Sequence, residues 1–344
     1  MKKLGEIMEA EISETPAVYQ RLFADQSQFD CLENLLSERK IHTILILARG
    51  TSDNAAFFLK YLIETKLGLP VGLTSPSAVS VYGATLKTEG TLVIAISQSG
   101  QSPDLVQFAQ AAKSGGATLL TMLNAPGSPL EAIADYKIEL MAGTETAVAA
   151  TKSYSAQLLS SLILVSRWAK LAVDQSQLIS EAQRLLAHSA QYQEIARSFD
   201  LTKQTVILGR GFSFPNAKEA ALKLQETCKV AVQSWSIADY LHGPVSALKE
   251  DSQVVILAPA HMPQEPLLEA VTKIRPITGR IIWLGEGGLV APGDQVIPGA
   301  QCADEVLSSI VDAVSLQLLT LTMSVQAGLD PDSPAGLSKV TLTH

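Results

Sequence analysis

Thr91-Leu92-Val93-Ile94-Ala95-Ile96 runs directly into Ser97-Gln98-Ser99-Gly100-Gln101-Ser102, and Pro103-Asp104 then opens a pattern carried by Leu105, Phe108, Ala109 and Ala112. The first six residues are continuously apolar, bounded upstream by Gly90, and read as a strand buried on both faces. Ser102 is placed as a helix cap and Pro103 at the first helical position, where a missing N–H costs nothing. The order is strand, hydroxyl-rich turn, helix start. A helix start offers backbone N–H groups and the positive end of the helix dipole, and short hydroxyls beside it make a site for an oxyanion. Serines and a glycine also serve as plain punctuation of such a turn, so the case rests on what accompanies it.

The same order recurs on both sides. His42-Thr43-Ile44-Leu45-Ile46-Leu47 leads through Ala48-Arg49-Gly50-Thr51-Ser52-Asp53 into a helix predicted over 54–66. Gln204-Thr205-Val206-Ile207-Leu208 leads through Gly209-Arg210-Gly211-Phe212-Ser213 into a helix opened by Pro215-Asn216 and running to about Lys229. In each, an apolar strand is followed by Arg-Gly, a hydroxyl two positions beyond the glycine, and a helix. Downstream, the run 253–258 is the counterpart of 91–96, and 280–284 that of 117–123. Apolar strands alternating with helical patterns indicate an α/β fold with a mostly parallel sheet covered by helices on both faces, a doubly wound, flavodoxin-like arrangement. Two such domains are expected, over 41–172 and 200–328. Residues 1–40 form a helical lead-in, 173–199 a connecting helix and 329–344 a C-terminal tail. In open sheets of this kind ligands bind beyond the carboxyl ends of the strands, where both Gly50-Thr51-Ser52 and Ser97–Ser102 lie.

Composition narrows the ligand. Of 344 residues, 47% are hydrophobic and 17% charged, which describes a folded chain with a large core. The net charge of −8, without a basic run and with few aromatics, argues against a nucleic-acid partner. Glu6, Glu9 and Glu11 follow Met1-Lys2-Lys3 where a signal peptide needs an apolar core, and the apolar helices near 158–165 and 310–321 are interrupted by polar residues. No membrane partner and a cytoplasmic location are therefore expected. Cys31, Cys228 and Cys302 lack metal-type spacing, so no metal is expected. Neither glycine-containing turn has the dinucleotide spacing and no Gly-Lys-Ser/Thr loop is present, so no cofactor is expected either. What remains is one phosphate on a small molecule.

Several residues could act on it. Glu219, Lys223 and Glu226 share one arc of their predicted helix, opposite the stripe Ala217, Ala220, Ala221, Leu224 and Cys228; such an arc is commonly a solvated salt-bridged face, or else a carboxylate held beside a carbonyl to move a proton. His242 precedes Gly243-Pro244, which restricts the backbone after it. Gly143 to Lys152 is a small-residue loop leading into a helix, with Thr151 as a cap or the loop as a wall along a ligand. Lys339 in the irregular tail is either a frayed lysine or one that covers a site, where its amine can form a Schiff base with a sugar carbonyl.

Together these residues resemble the sugar isomerase (SIS) family, and most closely the isomerase half of glucosamine-fructose-6-phosphate aminotransferase, over nearly the whole chain from about residue 40. The resemblance rests on Gly50-Thr51-Ser52, Ser97-Gln98-Ser99-Gly100 with Ser102, Gly143-Thr144-Glu145 through Thr151-Lys152, Lys223-Leu224-Gln225-Glu226, His242-Gly243-Pro244 and Leu337-Ser338-Lys339. It implies two tandem SIS domains, with phosphate contacts from Ser52, Ser97, Gln98, Ser99 and Ser102 and with Thr51 close by. It implies that Val148 and Ser338 line the sugar, that Glu226 moves a proton between C1 and C2 with Lys223 beside it, that His242 opens the ring and that Lys339 sits at the carbonyl, the tail closing over the active site. It also implies a homodimer with shared active sites, His242 arriving from the neighbouring subunit. Residues 1–40 are too few for the glutaminase domain of the aminotransferases, which disfavours synthesis and favours the reverse reaction, so the chain looks like the SIS-type glucosamine-6-phosphate deaminases. Ser102 stands where the aminotransferases commonly have threonine, and Asp53 also departs from their pattern. The alternatives are a deglycase of a phosphorylated sugar–amino acid adduct, a galactosamine-6-phosphate deaminase or isomerase, and a non-catalytic sugar-phosphate-binding regulator.

Overall fold

Ten strands, all paired in parallel, make two five-stranded sheets in a computed structural model that describes residues 3–285 and 288–339. The first sheet contains β1 (Thr43–Leu47), β2 (Val71–Leu73), β3 (Thr91–Ser97), β4 (Thr118–Leu123) and β5 (Tyr136–Glu139), in the order β2-β1-β3-β4-β5. The second contains β6 (Thr205–Gly209), β7 (Val232–Ser236), β8 (Gln253–Leu257), β9 (Ile281–Leu284) and β10 (Gln295–Ile297), in the order β10-β9-β8-β6-β7. Read from the other edge the second order is the first again, so the repeat legible in the turns is a repeat of topology. In each sheet the chain leaves its first strand toward one edge and returns to the strand on the other side. The carboxyl ends of β1 and β3, and of β6 and β8, are thus the two places where strand order reverses.

The chain divides into two compact units that interleave in sequence. One, built on β1–β5, comprises Ala17–Glu145, Lys152–Asp174 and the chain from Ser338; the other, built on β6–β10, comprises the chain up to Pro16, Thr146–Thr151 and Gln175–Leu337. In the β1–β5 unit every residue of β3 is buried, as an apolar run flanked by strands on both sides requires. The helix Thr51–Leu67 packs against Lys152–Ala169, and Leu105, Phe108, Ala109 and Ala112 of Pro103–Ser114 pack on Val93, Ala95 and Leu119. The expected stripe is therefore the buried face. The helix predicted over 54–66 begins three residues earlier, at Thr51, directly after Gly50 at φ 56°, a conformation that favours glycine.

In the β6–β10 unit, residues 175–198 form two helices, Gln175–Leu186 and Ser189–Ser198, both packed on the long helix Glu305–Gln326. Among the described residues this last helix alone combines the length and apolar composition of a membrane span, and 89% of its most apolar stretch is buried. It carries Asp312, which is 1% exposed; one carboxylate oxygen accepts the Ala300 N–H at 2.7 Å and the other has no hydrogen-bond partner among the described residues. Burial raises its pKa to about 7, with Arg184 and the Ala300 N–H opposing. The folded chain therefore holds this proton more tightly than the unfolded chain does, and ionisation above the ordinary carboxylate range costs stability until the group is fully charged. Asp312→Asn is expected to remove a decline on the order of 4 kcal/mol between about pH 4 and pH 8. Denaturant unfolding of both proteins across that range measures it, and parallel pH profiles would refute the assignment.

Candidate functional site

At the switch point of the first sheet, the Ser97–Ser102 turn leaves β3 and the Arg49–Ser52 turn leaves β1, with Leu47 opposite Ala95 in the register. Within the serine turn the Gly100 N–H donates to Ser97 Oγ at 3.0 Å and the Gln101 N–H to Ser99 Oγ at 3.4 Å. A hydroxyl that accepts in this way keeps its own hydrogen to donate, so both serines are configured as donors toward a ligand. Ser102 occupies the predicted cap position, in extended conformation before Pro103, yet its side chain makes no cap bond. Its hydroxyl is thus free of the usual task of a cap. Gly100 adopts φ +63°, and a Cβ there would lie 2.3 Å from Ser128 Oγ, so a side chain would be strained and would have to displace Ser128. Ser52 is nearly buried, and its hydroxyl accepts from Gln157 Nε2 at 2.9 Å. Thr51 opens the helix and the Gln98 carbonyl accepts from Asn124 and Ala125 N–H, fixing that residue's backbone while its side chain stays half-buried.

The same unit holds the tail lysine. Lys339 Nζ lies 2.9 Å from Glu145 Oε2, while the Ser153 N–H and hydroxyl donate to the two oxygens of Glu145 at 3.0 and 2.7 Å. Burial would raise the Glu145 pKa, but the Lys339 ammonium and the Ser153 donors outweigh it and hold the carboxyl below its ordinary value. Glu145 thus takes the N–H of Ser153 at the start of the helix Lys152–Ala169, the capping task expected of Thr151, and ties that helix to the tail. Ser338, next to Lys339, is exposed.

In the β6–β10 unit, the helix Phe214–Cys228 places Glu219, Lys223 and Glu226 on one face. Lys223 is 2% exposed; it is hydrogen-bonded to Glu226 and lies 3.5 Å from Glu219 Oε1. Glu219 is buried as well, while the Glu226 side chain is 24% exposed. This is not a solvated face. It is one buried cation shared by two carboxylates, of which Glu226 alone reaches the surface. His242 follows the short helix Ile237–Leu241, is exposed, and makes no hydrogen bond from its ring among the described residues. Val148 is half-buried, with its N–H on the Asp332 carbonyl at 3.0 Å.

Two acidic residues that sequence reasoning passed over support that loop, Glu11 through its carboxylate and Asp332 through its backbone carbonyl. Glu11 Oε1 accepts the Ala147 N–H at 3.3 Å, and Asp332 accepts the N–H groups of Ile7 and Met8 at 3.1 and 2.8 Å. The tail around Asp332 is therefore pinned rather than frayed. Glu11 lies on the same buried helix face as Met8 and Ile12, and an acid on an apolar stripe is the signal that could have found it. A cleft of about 760 Å³ beside edge strand β5, lined by Gln28, Cys31, Ser128, Glu131, Tyr136 and Lys137 among others, includes none of the expected site residues.

Residues 36–167 match the model of the SIS domain. A solved structure from Silicibacter pomeroyi, described as a candidate phosphosugar isomerase, is 31% identical and superposes with a TM-score of 0.84 over 94% of this chain and 99% of that one. The chain belongs to the SIS domain family. Among curated SIS relatives, the isomerizing glutamine–fructose-6-phosphate aminotransferase of Gloeobacter violaceus is 34% identical over 87% of this chain. The match spans 51% of that protein, about half its length. The fold is also that of the glucosamine-6-phosphate deaminase of Thermotoga maritima, with a TM-score of 0.78 at 20% identity over 98% of this chain and all of that one.

Proposed function

We propose that this SIS protein is an amino-sugar-phosphate deaminase that converts glucosamine 6-phosphate to fructose 6-phosphate and ammonia. The observation that carries the reading is the buried Lys223 shared by Glu219 and Glu226, with only Glu226 exposed. A carboxylate with a cation beneath it and solvent above is suited to take a proton from a substrate and return it. The phosphate is assigned to Ser97, Ser99 and Ser102, with Thr51, Ser52 and Gln98 around them. Val148 and Ser338 are assigned to the sugar.

In the chemistry we assign, His242 assists ring opening. Glu226 then takes the proton on C2 of the open-chain amino aldose as O1 gains a proton, leaving an enolamine, and returns it to C1 as the nitrogen gives up a proton, leaving a ketimine at C2. Water adds to C2, the nitrogen leaves as ammonia, and the ketose phosphate remains; no external oxidant or reductant is required. Lys339 is assigned to the carbonyl end. Assigning His242 to the site of a second subunit requires a homodimer, which sedimentation equilibrium measures.

Ammonia and fructose 6-phosphate from glucosamine 6-phosphate are the expected products, and an amino acid released from a glycated substrate instead would identify a deglycase. Loss of the phosphate is expected to lower kcat/KM at least about 100-fold, the worth of about two charge-assisted hydrogen bonds. Equal rates on glucosamine and its 6-phosphate would refute the role of the serine turn.

A further inference from the structure

Arg49 stands two residues past the end of β1, at the switch point that also holds the serine turn. Its Nε donates to Asp104 Oδ2 at 3.0 Å and its Nη2 lies 2.9 Å from the same oxygen. Asp104 is the second residue of the helix that follows Ser102 and is 2% exposed, with Oδ1 accepting the Leu105 N–H at 2.9 Å. The Arg49 side chain is 48% exposed, and its Nη1 has no partner among the described residues. The corresponding arginine of the second repeat, Arg210, instead places Nη1 3.4 Å from the Ser236 hydroxyl.

A fixed carboxylate at the start of the helix opposes an anion there unless a cation neutralises it. Arg49 does so with one side of its guanidinium, and the fork geometry leaves the other side able to bind a second oxyanion in the same plane. The rest of the cradle is neutral hydroxyls and N–H groups, in a chain whose net charge is −8. We propose that Arg49 is a substrate-binding residue of the phosphate site: its free side hydrogen-bonds the dianionic phosphate of a sugar phosphate, and Asp104 aims it. This rests on the assignment of the Ser97–Ser102 turn to phosphate.

Calorimetric titration with fructose 6-phosphate and with inorganic phosphate tests it on the full chain carrying Arg49→Gln, Asp104→Asn, both together, or Arg49→Lys. The double variant leaves no lone buried carboxylate and is expected to bind fructose 6-phosphate about 30-fold more weakly than Asp104→Asn, with a shallower dependence on salt. Arg49→Lys keeps the charge without the fork, and supplies a folded comparison should the neutral variants not fold; about fivefold weaker binding is expected. If the double variant, or Arg49→Lys where that is the folded protein, binds with unchanged affinity and salt dependence, Arg49 only neutralises Asp104 and the proposal falls alone. If the native chain binds neither probe, the phosphate assignment falls and takes this proposal with it.

Discussion

Glu226→Gln is expected to lower kcat on glucosamine 6-phosphate by about 10²- to 10⁴-fold, the usual worth of a positioned proton carrier, with KM within about threefold of native. Glutamine fills the same volume and still accepts a hydrogen bond from Lys223, which keeps Glu219 as an ionic partner at 3.5 Å. Packing and phosphate recognition should survive, and only the capacity to hold a proton is lost. The diagnostic readout is exchange: in heavy water the native chain should place deuterium at C1 of the product ketose, and the variant should lose exchange in step with turnover. Lys223→Met tests the same cluster from below. It leaves two carboxylates without their cation, one of them buried, and a loss of stability on the order of 3 kcal/mol is expected. Native turnover and exchange in Glu226→Gln would remove Glu226 from the mechanism.

The residues that this first result depends on were visible in the sequence, but their surroundings were not. Spacings of four and three put Glu219, Lys223 and Glu226 on one arc, and no spacing rule says whether water or protein covers an arc; the structure shows that protein covers Lys223 and Glu219. The fold shows the same division. The three inner strands of each sheet are runs such as Thr91–Ile96, apolar because neighbours cover both faces, and they were legible with their order of turns. The outer strands β2, β5, β7 and β10 are three to five residues long and only partly buried, with polar positions such as Lys137, Gln233 and Gln295, so they lack the apolar run that marks a parallel strand. Contacts distant in sequence were the least legible. Nothing local to Glu11, Glu145 or Asp104 announces the partner each one meets, whereas the hydroxyl turn, whose internal bonds span two or three residues, could be read directly.

The longest of those contacts carries the second large effect, because Glu145 and Lys339 are 194 residues apart and unequal in burial: the Glu145 side chain is fully covered, and that of Lys339 is 22% exposed. Removing either partner breaks one ion pair, yet the consequences should differ. In Glu145→Gln no buried charge is stranded, so the cost in stability is expected to be about 1 kcal/mol, while the assignment of Lys339 to the substrate carbonyl requires turnover to fall about 100-fold. In Lys339→Met the carboxylate stays buried without its cation, and a loss of about 3 kcal/mol is expected at neutral pH. The pH dependence should then invert. In the native chain the depressed pKa of Glu145 adds stability above the unfolded carboxylate pKa that disappears as pH falls through the folded value. Without Lys339, burial is the dominant influence, the folded pKa lies above the unfolded one, and acidification through it should restore stability. Adding Glu145→Gln to Lys339→Met should recover most of the loss at neutral pH without restoring turnover. Equal destabilisation by the two single variants, or a double variant no more stable than Lys339→Met, would show that the pair does not hold the tail.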